Sequence, residues 1–582
     1  MKKKVLLLIA CLMAFVVVLA ACGNGENGED PGYAENGNGG EETNGGDDNG
    51  GADDTGLPDG LYVDADGNYR FETTRHITVP LWCRAHDRIP EFVESYWAQW
   101  VADEVLAVHN IAIEWEVMPR WQEGDHLSML LGGGAAPDVS MTFGGGIVDT
   151  FADMGGIIDL MPHLDSYRDL LPNLYGHLGT DIVYWNLNPQ TNELFSLMGR
   201  EAMHGRVVTF VREDWLAALD LDAPTNHEEF EEMLIAFRDR TDELPGDVDS
   251  TNVIPFGLGN DVLWGLGPIV ESFIPSDISE RDWFVYGWDD RRFMHREASY
   301  EALQLVNGWF NDDLMWGDLG VGESSDLSDQ IRLGRVGTFM GNWDLAFRPA
   351  DRYTLALHEE IGPDAHWVPL APFPADNGTP QIFLANEAMR NIFFPETNTE
   401  ILASLLYLDF MSRLDVLDYL QLGVQGVHWD LDANGNFITL PEGDDHSWPD
   451  YMVIPSGRNF DITITANGIA DLGTLFYAYD AVAPSRVESS RNLAVNFGRT
   501  FAPVVVRPRE AEQGMDALRG GGENSESRQI GVRLIRSNPA EFSANFDAEW
   551  DSYLSMGAGD IINEREQAWI EEFGDVDSQP AN

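Results

Sequence analysis

Between Ile77 and Thr142 the apolar spacing changes period four times within about 65 residues, and few architectures accommodate that. Residues 77–82 read as a strand, after a hairpin-like turn at Asp64-Ala65-Asp66-Gly67-Asn68. From 89 to 108, Phe92, Tyr96, Trp100, Val101, Val105 and Val108 recur at helical spacing. Ile111, Ile113, Trp115 and Val117 alternate as strand residues do, residues 122–131 return to helix and stop at Gly132-Gly133-Gly134, and 138–142 form another short strand. Such alternation implies an α/β domain with a mostly parallel sheet, because parallel neighbours need a crossover that a helix supplies. In open sheets of this kind ligands bind beyond the carboxyl ends of the strands. Trp82, Arg84 and His86 after the first strand, and Thr142 and Phe143 after the third, are therefore expected at the mouth of a site.

The chain starts differently. Lys2, Lys3 and Lys4 precede an apolar run over residues 5–20, and Leu19-Ala20-Ala21-Cys22 ends it. The run is short for a spanning helix, which needs ~20 apolar residues. Charge, length and the small residues before a cysteine resemble the lipobox of bacterial lipoproteins, in which residues 1–21 are removed and Cys22 is acylated. An ordinary signal peptide with a chance cysteine is the alternative. Residues 22–57 are nearly all Gly, Asn, Asp and Glu and cannot bury enough apolar surface to offset their ordering entropy. They are expected to form a disordered acidic linker with an r.m.s. reach of ~30 Å, which would hold a folded body at 58–582 off a membrane surface.

Charge narrows the range of partners. With 35 Lys+Arg against 98 Asp+Glu the formal charge is −63, so nucleic acid, which binds through many cations, is not an expected partner. No lysine follows Lys4; cleavage would leave 32 Arg and a net charge of −66. An acidic, lysine-free exported surface suits a saline or alkaline setting, and a genomic bias toward Arg codons would explain it equally. Cys11 leaves with the signal and Cys22 would carry lipid, so Cys83 alone remains in the folded part. A disulfide between folded cysteines and a Cys-based zinc cluster are both excluded.

Several blocks carry a family resemblance. Gly132-Gly133-Gly134-Ala135-Ala136-Pro137-Asp138-Val139, then Gly155-Gly156-Ile157-Ile158-Asp159-Leu160 and Pro162-His163-Leu164-Asp165, look like the first-lobe pattern of family 1 extracellular solute-binding proteins of ABC importers. Val211-Arg212-Glu213-Asp214-Trp215-Leu216, continuing to Leu221, and Pro224-Thr225-Asn226-His227-Glu228-Glu229-Phe230 are similar to a stretch of the large oligosaccharide-binding lipoproteins in that family. Gly423-Val424-Gln425-Gly426-Val427-His428-Trp429 and the segment 546–560, with Trp550 and Tyr553, extend the resemblance over roughly residues 75–575. It implies a two-lobed, periplasmic-binding-protein-like fold, each lobe a doubly wound, mostly parallel sheet flanked by helices and joined by a hinge. One lobe would hold about 72–200 and 380–415, the other about 205–370 and much of 416–575. It further implies a monomeric, non-catalytic receptor on the extracellular face of the cell membrane that delivers an oligosaccharide to the transmembrane subunits of an ABC permease.

The chemistry of a sugar site can be read independently. A sugar ring presents apolar C–H faces and a rim of hydroxyls, so its site needs flat aromatics and planar polar side chains. The chain has 18 Trp, and several sit beside polar loops: Trp82 with Arg84, Asp261 with Trp264, Trp343 with Asp344, and Trp429 after His428. Trp97, Trp100, Trp115 and Trp215 are assigned to the core instead. Trp343 is the foremost candidate, because it follows the strand-like 336–340 where maltodextrin-binding relatives carry a stacking aromatic. Thr142 and Phe143 occupy a loop that contacts ligand in those relatives, although Gly144-Gly145-Gly146 replaces part of its polar and aromatic set. Arg84, Arg206 and Arg458 are the cations that could favour an acidic sugar over a neutral one.

No resident cofactor is expected, and calcium is the one ion the sequence raises. Asp430-x-Asp432-x-Asn434-Gly435-Asn436 resembles the head of a calcium loop, yet Pro441 stands where the bidentate Glu belongs, which favours a hairpin turn. Asn186, Asn188, Gln190, Asn192 and Glu193 align with a calcium loop of alginate-oligosaccharide-binding relatives, with amides replacing most of the carboxylates. Walker A, HExxH and GxSxG sequences are absent. With 98 acidic residues, chance carboxylate pairs are abundant, so a lipid-anchored glycoside hydrolase or polysaccharide lyase stays open as the rival reading, and a surface adhesin as the third.

Overall fold

The computed structural model describes residues 56–83, 93–94, 96–119, 123–188, 191–200, 207–287, 295–347, 351–384, 388–422, 424–427, 429–431, 437–439, 498–499, 518 and 526–578. A short hairpin of β1 (Leu61–Val63) and β2 (Tyr69–Phe71) comes first, its turn closed by the Asp64 carboxylate, which accepts from the amides of Asp66 and Asn68 at 2.9 Å each. β3 (Arg75–Cys83) and β4 (Ile111–Pro119) then pair in parallel over nine residues. Their crossover is the helix Tyr96–His109, which buries Trp97, Val101 and Val105 at four-residue spacing. The helix Glu123–Gly132 leads to β5 (Ser140–Thr142), and the helix Gly145–Asp153 follows it. Later strands are β6 (Leu197–Arg200), β7 (Val207–Arg212), β8 (Ile254–Gly257), β9 (Val336–Asn342), β10 (Trp367–Pro369), β11 (Ile382–Phe383) and β12 (Ala388–Phe393). β13 (Trp429–Leu431) pairs antiparallel with β14 (Phe437–Thr439), as a hairpin requires, and the intervening 432–436 lie outside the described residues.

Two sheets organise the body. One has the order β5-β12-β6 with the β3–β4 pair beside it; the other has the order β10-β7-β9-β8. This corrects the expectation of mostly parallel sheets: β3–β4 is a parallel pair, but β12 is antiparallel to both β5 and β6, and the second sheet is mixed, with β8–β9 parallel and β7 antiparallel to β9 and β10. The physical reason lies in the connections. β6 leaves the first sheet for the second and β12 returns from it, so β12 enters at the edge where β6 ends and must run against it. β7 likewise enters the second sheet at the edge where β8 and β9 finish.

The sequence blocks that carried the resemblance turn out to be fasteners. The Asp138 carboxylate accepts from the Thr78 amide (2.8 Å) and hydroxyl (3.0 Å), the Asp138 amide donates to the same hydroxyl (2.8 Å), and Val139 donates to the Thr78 carbonyl (3.1 Å), tying β5 to β3. Asn398 holds the other side of Asp138 through its carbonyl at 2.9 Å. Arg212, fully buried at the end of β7, forks onto the Asp214 carboxylate at 2.7 and 2.6 Å and donates to the Gly334 carbonyl at 2.9 Å. Its guanidinium lies over the rings of Trp215 and Trp367, 4.9 and 5.8 Å from their centroids. Asn226 caps the helix His227–Asp239 by accepting from Glu229, whose carboxylate reaches back to the Thr225 amide.

Around the first sheet, the helix Ile401–Met411 is apolar on nearly all sides and buried from Ala403 to Met411. Its one carboxylate, Asp409, accepts from the amides of Asn173 and Leu174 (2.8 Å each) and from the Asn173 side chain (2.7 Å), capping the helix Pro172–Leu178 from outside. Burial pushes the Asp409 carboxyl above its ordinary value, against the pull of those donors. Around the second sheet, Trp215, Phe230, Phe237, Phe256, Trp309 and Trp367 form an aromatic core. The helices Glu526–Ile535 and Phe542–Tyr553 complete it: Asn307 donates to the carbonyls of Leu534, Ile535 and Ser537, and Tyr300 meets Phe546 edge-on at 5.0 Å.

Candidate functional site

Strand directions define one working edge on each sheet. The chain leaves the first sheet after Arg200 and re-enters it at Ala388, its register partner, so both links to the second sheet run from one edge. The carboxyl end of β5 lies there too, because Thr142 pairs with Asn391. On the second sheet Val207 pairs with Asn342, so the entry of β7 shares an edge with Asn342-Trp343-Asp344 and with the end of parallel β8, which runs into Leu258–Asp261. The return link is firmly held on its second-sheet side. Gln381 donates to the carbonyls of Glu271 (2.7 Å) and Ile274 (2.8 Å), the Phe383 amide donates to the Glu271 carboxylate (3.0 Å), and Trp283 stacks on Phe383 at 3.9 Å. Phe383 belongs to the second core, so the chain turns back only after it.

At the first sheet's edge Thr142 is buried and its hydroxyl accepts from the Gly144 amide at 3.1 Å, shaping the turn into the helix Gly145–Asp153; Phe143 beside it is half-buried. Behind Thr142 lies a polar cluster that sequence reasoning missed. Asn391 accepts from the Asn186 amide (2.9 Å) and the Ser196 hydroxyl (3.0 Å), and all three side chains are buried. Arg390, also buried, sits at a bulge in β12 with φ +70°, a left-handed conformation that costs a non-glycine residue about 1–2 kcal/mol. Its guanidinium donates to the Arg200 carbonyl at 3.4 Å, and Arg200 donates to the His177 carbonyl at 3.2 Å. Burial, with the Arg200 charge second, pulls the His177 imidazole down to about 4. Nothing in local composition announces this cluster, because Asn186, Ser196 and Asn391 meet only through sheet pairing.

At the second sheet's edge, Asp261 with Trp264 and Trp343 with Asp344 follow the ends of the neighbouring parallel strands β8 and β9. Their exposure differs from that expected. Trp343 keeps only 7% of its surface accessible and packs into the second core, so it offers little indole face in this conformation; Asp344 is buried at 4%. The reason is that Val336–Asn342 is an inner strand whose end continues into the packed turn Leu345–Phe347. Asp261, which precedes the short helix Val262–Gly265, and Trp264 within it remain half-exposed. Trp97 and Trp215 lie in the cores, and Trp100 and Trp115 are half-buried. Trp82 and Trp429 lie in β3 and β13, with their side chains outside what is described. Arg84, Arg206, Arg458, Gln190 and Cys22 lie outside the described residues.

In the amide-rich loop raised for calcium, the described side chains of Asn186 and Asn188 hydrogen-bond within the chain, and Gln190 lies outside the described residues. Asn186 spends its side chain inside the sheet cluster, with donor contacts to Ser196, Met198 and Asn391. Asn188 turns inward on the loop: its side-chain oxygen accepts from Thr191, its carbonyl accepts from Asn192, and its amide donates to the Glu193 carbonyl. Among the described residues no group of three or more His, Cys, Asp or Glu side chains is placed to hold a metal. A groove of about 350 Å³ lies between the helices His227–Asp239 and Arg296–Asn311, lined in part by Glu231, Glu301 and Asp312, and none of its lining residues is at a strand end.

No family model matches the chain, and no curated protein matches it in sequence. Solved structures do match in fold. The HMO-binding, ABC-transporter-associated solute-binding protein of Bifidobacterium longum infantis is 15% identical, with 85% of this chain and 99% of that one covered at a TM-score of 0.57. FusA, an ABC-transporter substrate-binding protein of Streptococcus pneumoniae solved with kestose, is 13% identical, covering 86% and 99% at 0.58. The alginate-binding protein AlgQ2, solved without calcium ion, is 15% identical, covering 85% and 97% at 0.58. At these identities the likeness is one of fold: the body has the two-lobed α/β fold of those binding proteins.

Proposed function

We propose that this chain is the lipid-anchored receptor of an ABC importer, which captures an oligosaccharide between its lobes outside the cell and passes it, unaltered, to the permease's transmembrane subunits. The observation that carries this reading is the shared edge: both sheets turn strand ends toward the two chain crossings. A guest seated there would touch both halves and so favour the arrangement in which they close. The sugar class is supported by the 18 Trp of the chain and by what the neighbours' titles name, namely alginate, HMO and kestose. Thr142, Phe143, Asp261, Trp264 and Asp344, with Trp82, Arg84, Trp343, Trp429 and Arg458, are the proposed contacts. In this reading residues 1–21 are the signal peptide, Cys22 carries lipid, 22–57 tether the body, and the lobes comprise about 72–200 with 380–415, and about 205–370 with much of 416–575.

The test is a thermal-shift and tryptophan-fluorescence screen of the mature chain against kestose, lacto-N-tetraose and a trimannuronate, with product analysis by chromatography. A binding sugar at 100 times its Kd should stabilise the fold by about 2.7 kcal/mol and be recovered intact. Cleaved sugar would replace the receptor with the hydrolase or lyase. Silence from all three probes would remove the binding reading.

A further inference from the structure

Val321 is the most exposed large apolar side chain among the described residues, at 73%. A lone exposed valine needs no explanation on most surfaces. This one differs in how it is held. It sits in the irregular segment between Trp316 and Glu323, which contains Gly317, Gly320 and Gly322 and would be costly to order. The segment is nevertheless clasped from two sides. Asn260, a buried residue three positions past the end of β8, accepts from the Gly320 amide and donates to the Gly322 carbonyl, both at 2.8 Å, so its amide grips the backbone on either side of Val321. Arg536 donates to the carbonyls of Gly317 (3.1 Å) and Leu319 (2.8 Å) from the opposite side. Trp316 and Leu319 are buried beneath, and the Val321 and Gly322 amides both donate to the Asp318 carbonyl. Gly320 has φ +75° and stands too close to Val532 for any side chain, so the turn requires glycine there.

We infer that this clasped loop is a fixed wall of the binding mouth, with Val321 meeting the apolar C–H face of a sugar ring and Asn260 acting as its positioning residue. The place in the fold selects this role: Asn260 follows the carboxyl end of β8, on the edge that carries Asp261, Trp343 and Asp344. A stiff apolar knob there contributes contact area without an ordering cost at binding. The inference rests on the receptor reading and adds a contact and its support to that same site.

The experiment uses whichever of kestose, lacto-N-tetraose or trimannuronate stabilises the wild-type mature chain. Val321→Asp should leave the melting temperature of the free protein unchanged and weaken binding about five- to tenfold, the effect of losing a partly buried valine contact. Asn260→Ala should weaken it comparably, and the double variant should be no weaker than the poorer single variant, since Asn260 acts only through the loop. Wild-type affinity in Val321→Asp, or strictly additive losses, would overturn the inference while leaving the receptor reading standing. If no probe stabilises the wild type, the receptor reading falls and this inference falls with it.

Discussion

Removing the Asp214 carboxylate should be one of the most damaging single changes near the surface of this protein. Arg212 has no exposed side-chain surface, Asp214 retains 12%, and their fork-to-fork contact is 2.6 Å at its shorter arm. Among the described residues Arg212 also donates to the Gly334 carbonyl, and its guanidinium lies over the indoles of Trp215 and Trp367. Asp214→Ala therefore strands a cation in an apolar layer, a change that costs roughly 3–5 kcal/mol in buried pairs, and the partial exposure of Asp214 points to the lower end, about 3 kcal/mol. Urea unfolding followed by circular dichroism should report this as a lower midpoint at unchanged slope. The Arg240–Glu243 pair supplies the control, since it is nearly as short (2.8 Å) but 39% and 46% exposed, and Glu243→Ala should leave the midpoint where it was. Replacing both partners, Arg212→Met with Asp214→Leu, should recover much of the loss because no charge is then stranded. An Asp214→Ala midpoint equal to that of Glu243→Ala would refute the reasoning.

Stability should also fall in mild acid. Burial holds the imidazoles of His177 and His227 down to about 4, well below the ordinary ~6.5. Their folded values lie beneath the unfolded one, so the contribution is fully present above pH ~6.5 and is lost as pH falls toward 4, where the unfolded chain gains protons that the fold excludes, up to about 3 kcal/mol per group. His227 stacks on Phe273 at 4.8 Å and meets Phe373 at 4.6 Å, so His227→Phe should keep the packing and make the melting temperature less steep between pH 7 and pH 4.5; an unchanged slope would count against this. If the net charge of −63 reflects a saline setting, refolding yield should rise with added NaCl through screening, and indifference to salt would favour the compositional explanation.

The fold was legible where periodicity and local fasteners coincide. Residues 77–82 and 111–117 were read as strands from their pattern, and both lie in the parallel β3–β4 pair; the helix read over 122–131 lies at Glu123–Gly132. The mixed order of the sheets was not legible, because strand direction there depends on where the chain re-enters each sheet, a long-range property that no window of sequence carries. Trp343 shows the same limit at a single residue. Its place after the strand-like 336–340 made it the foremost contact candidate, whereas its burial at 7% follows from β9 being an inner strand whose end continues into the packed turn Leu345–Phe347.

The blocks that carried the resemblance explain why architecture was easier to read than cargo. Asp138, Arg212 with Asp214, and Asn226 with Glu229 each satisfy backbone or charged groups that would otherwise be stranded at a strand end or helix start. Any chain built on this frame must solve those problems, so the solutions persist as recognisable motifs. A binding loop faces no such requirement. The Asn260 clasp joins residues 60 and 62 positions apart, and the Asn186–Ser196–Asn391 cluster reaches 205 positions, leaving no short spacing to recognise. On the proposed receptor reading, what such a site would bind is set by side chains on the strand-end loops, which can change while every fastener stays in place.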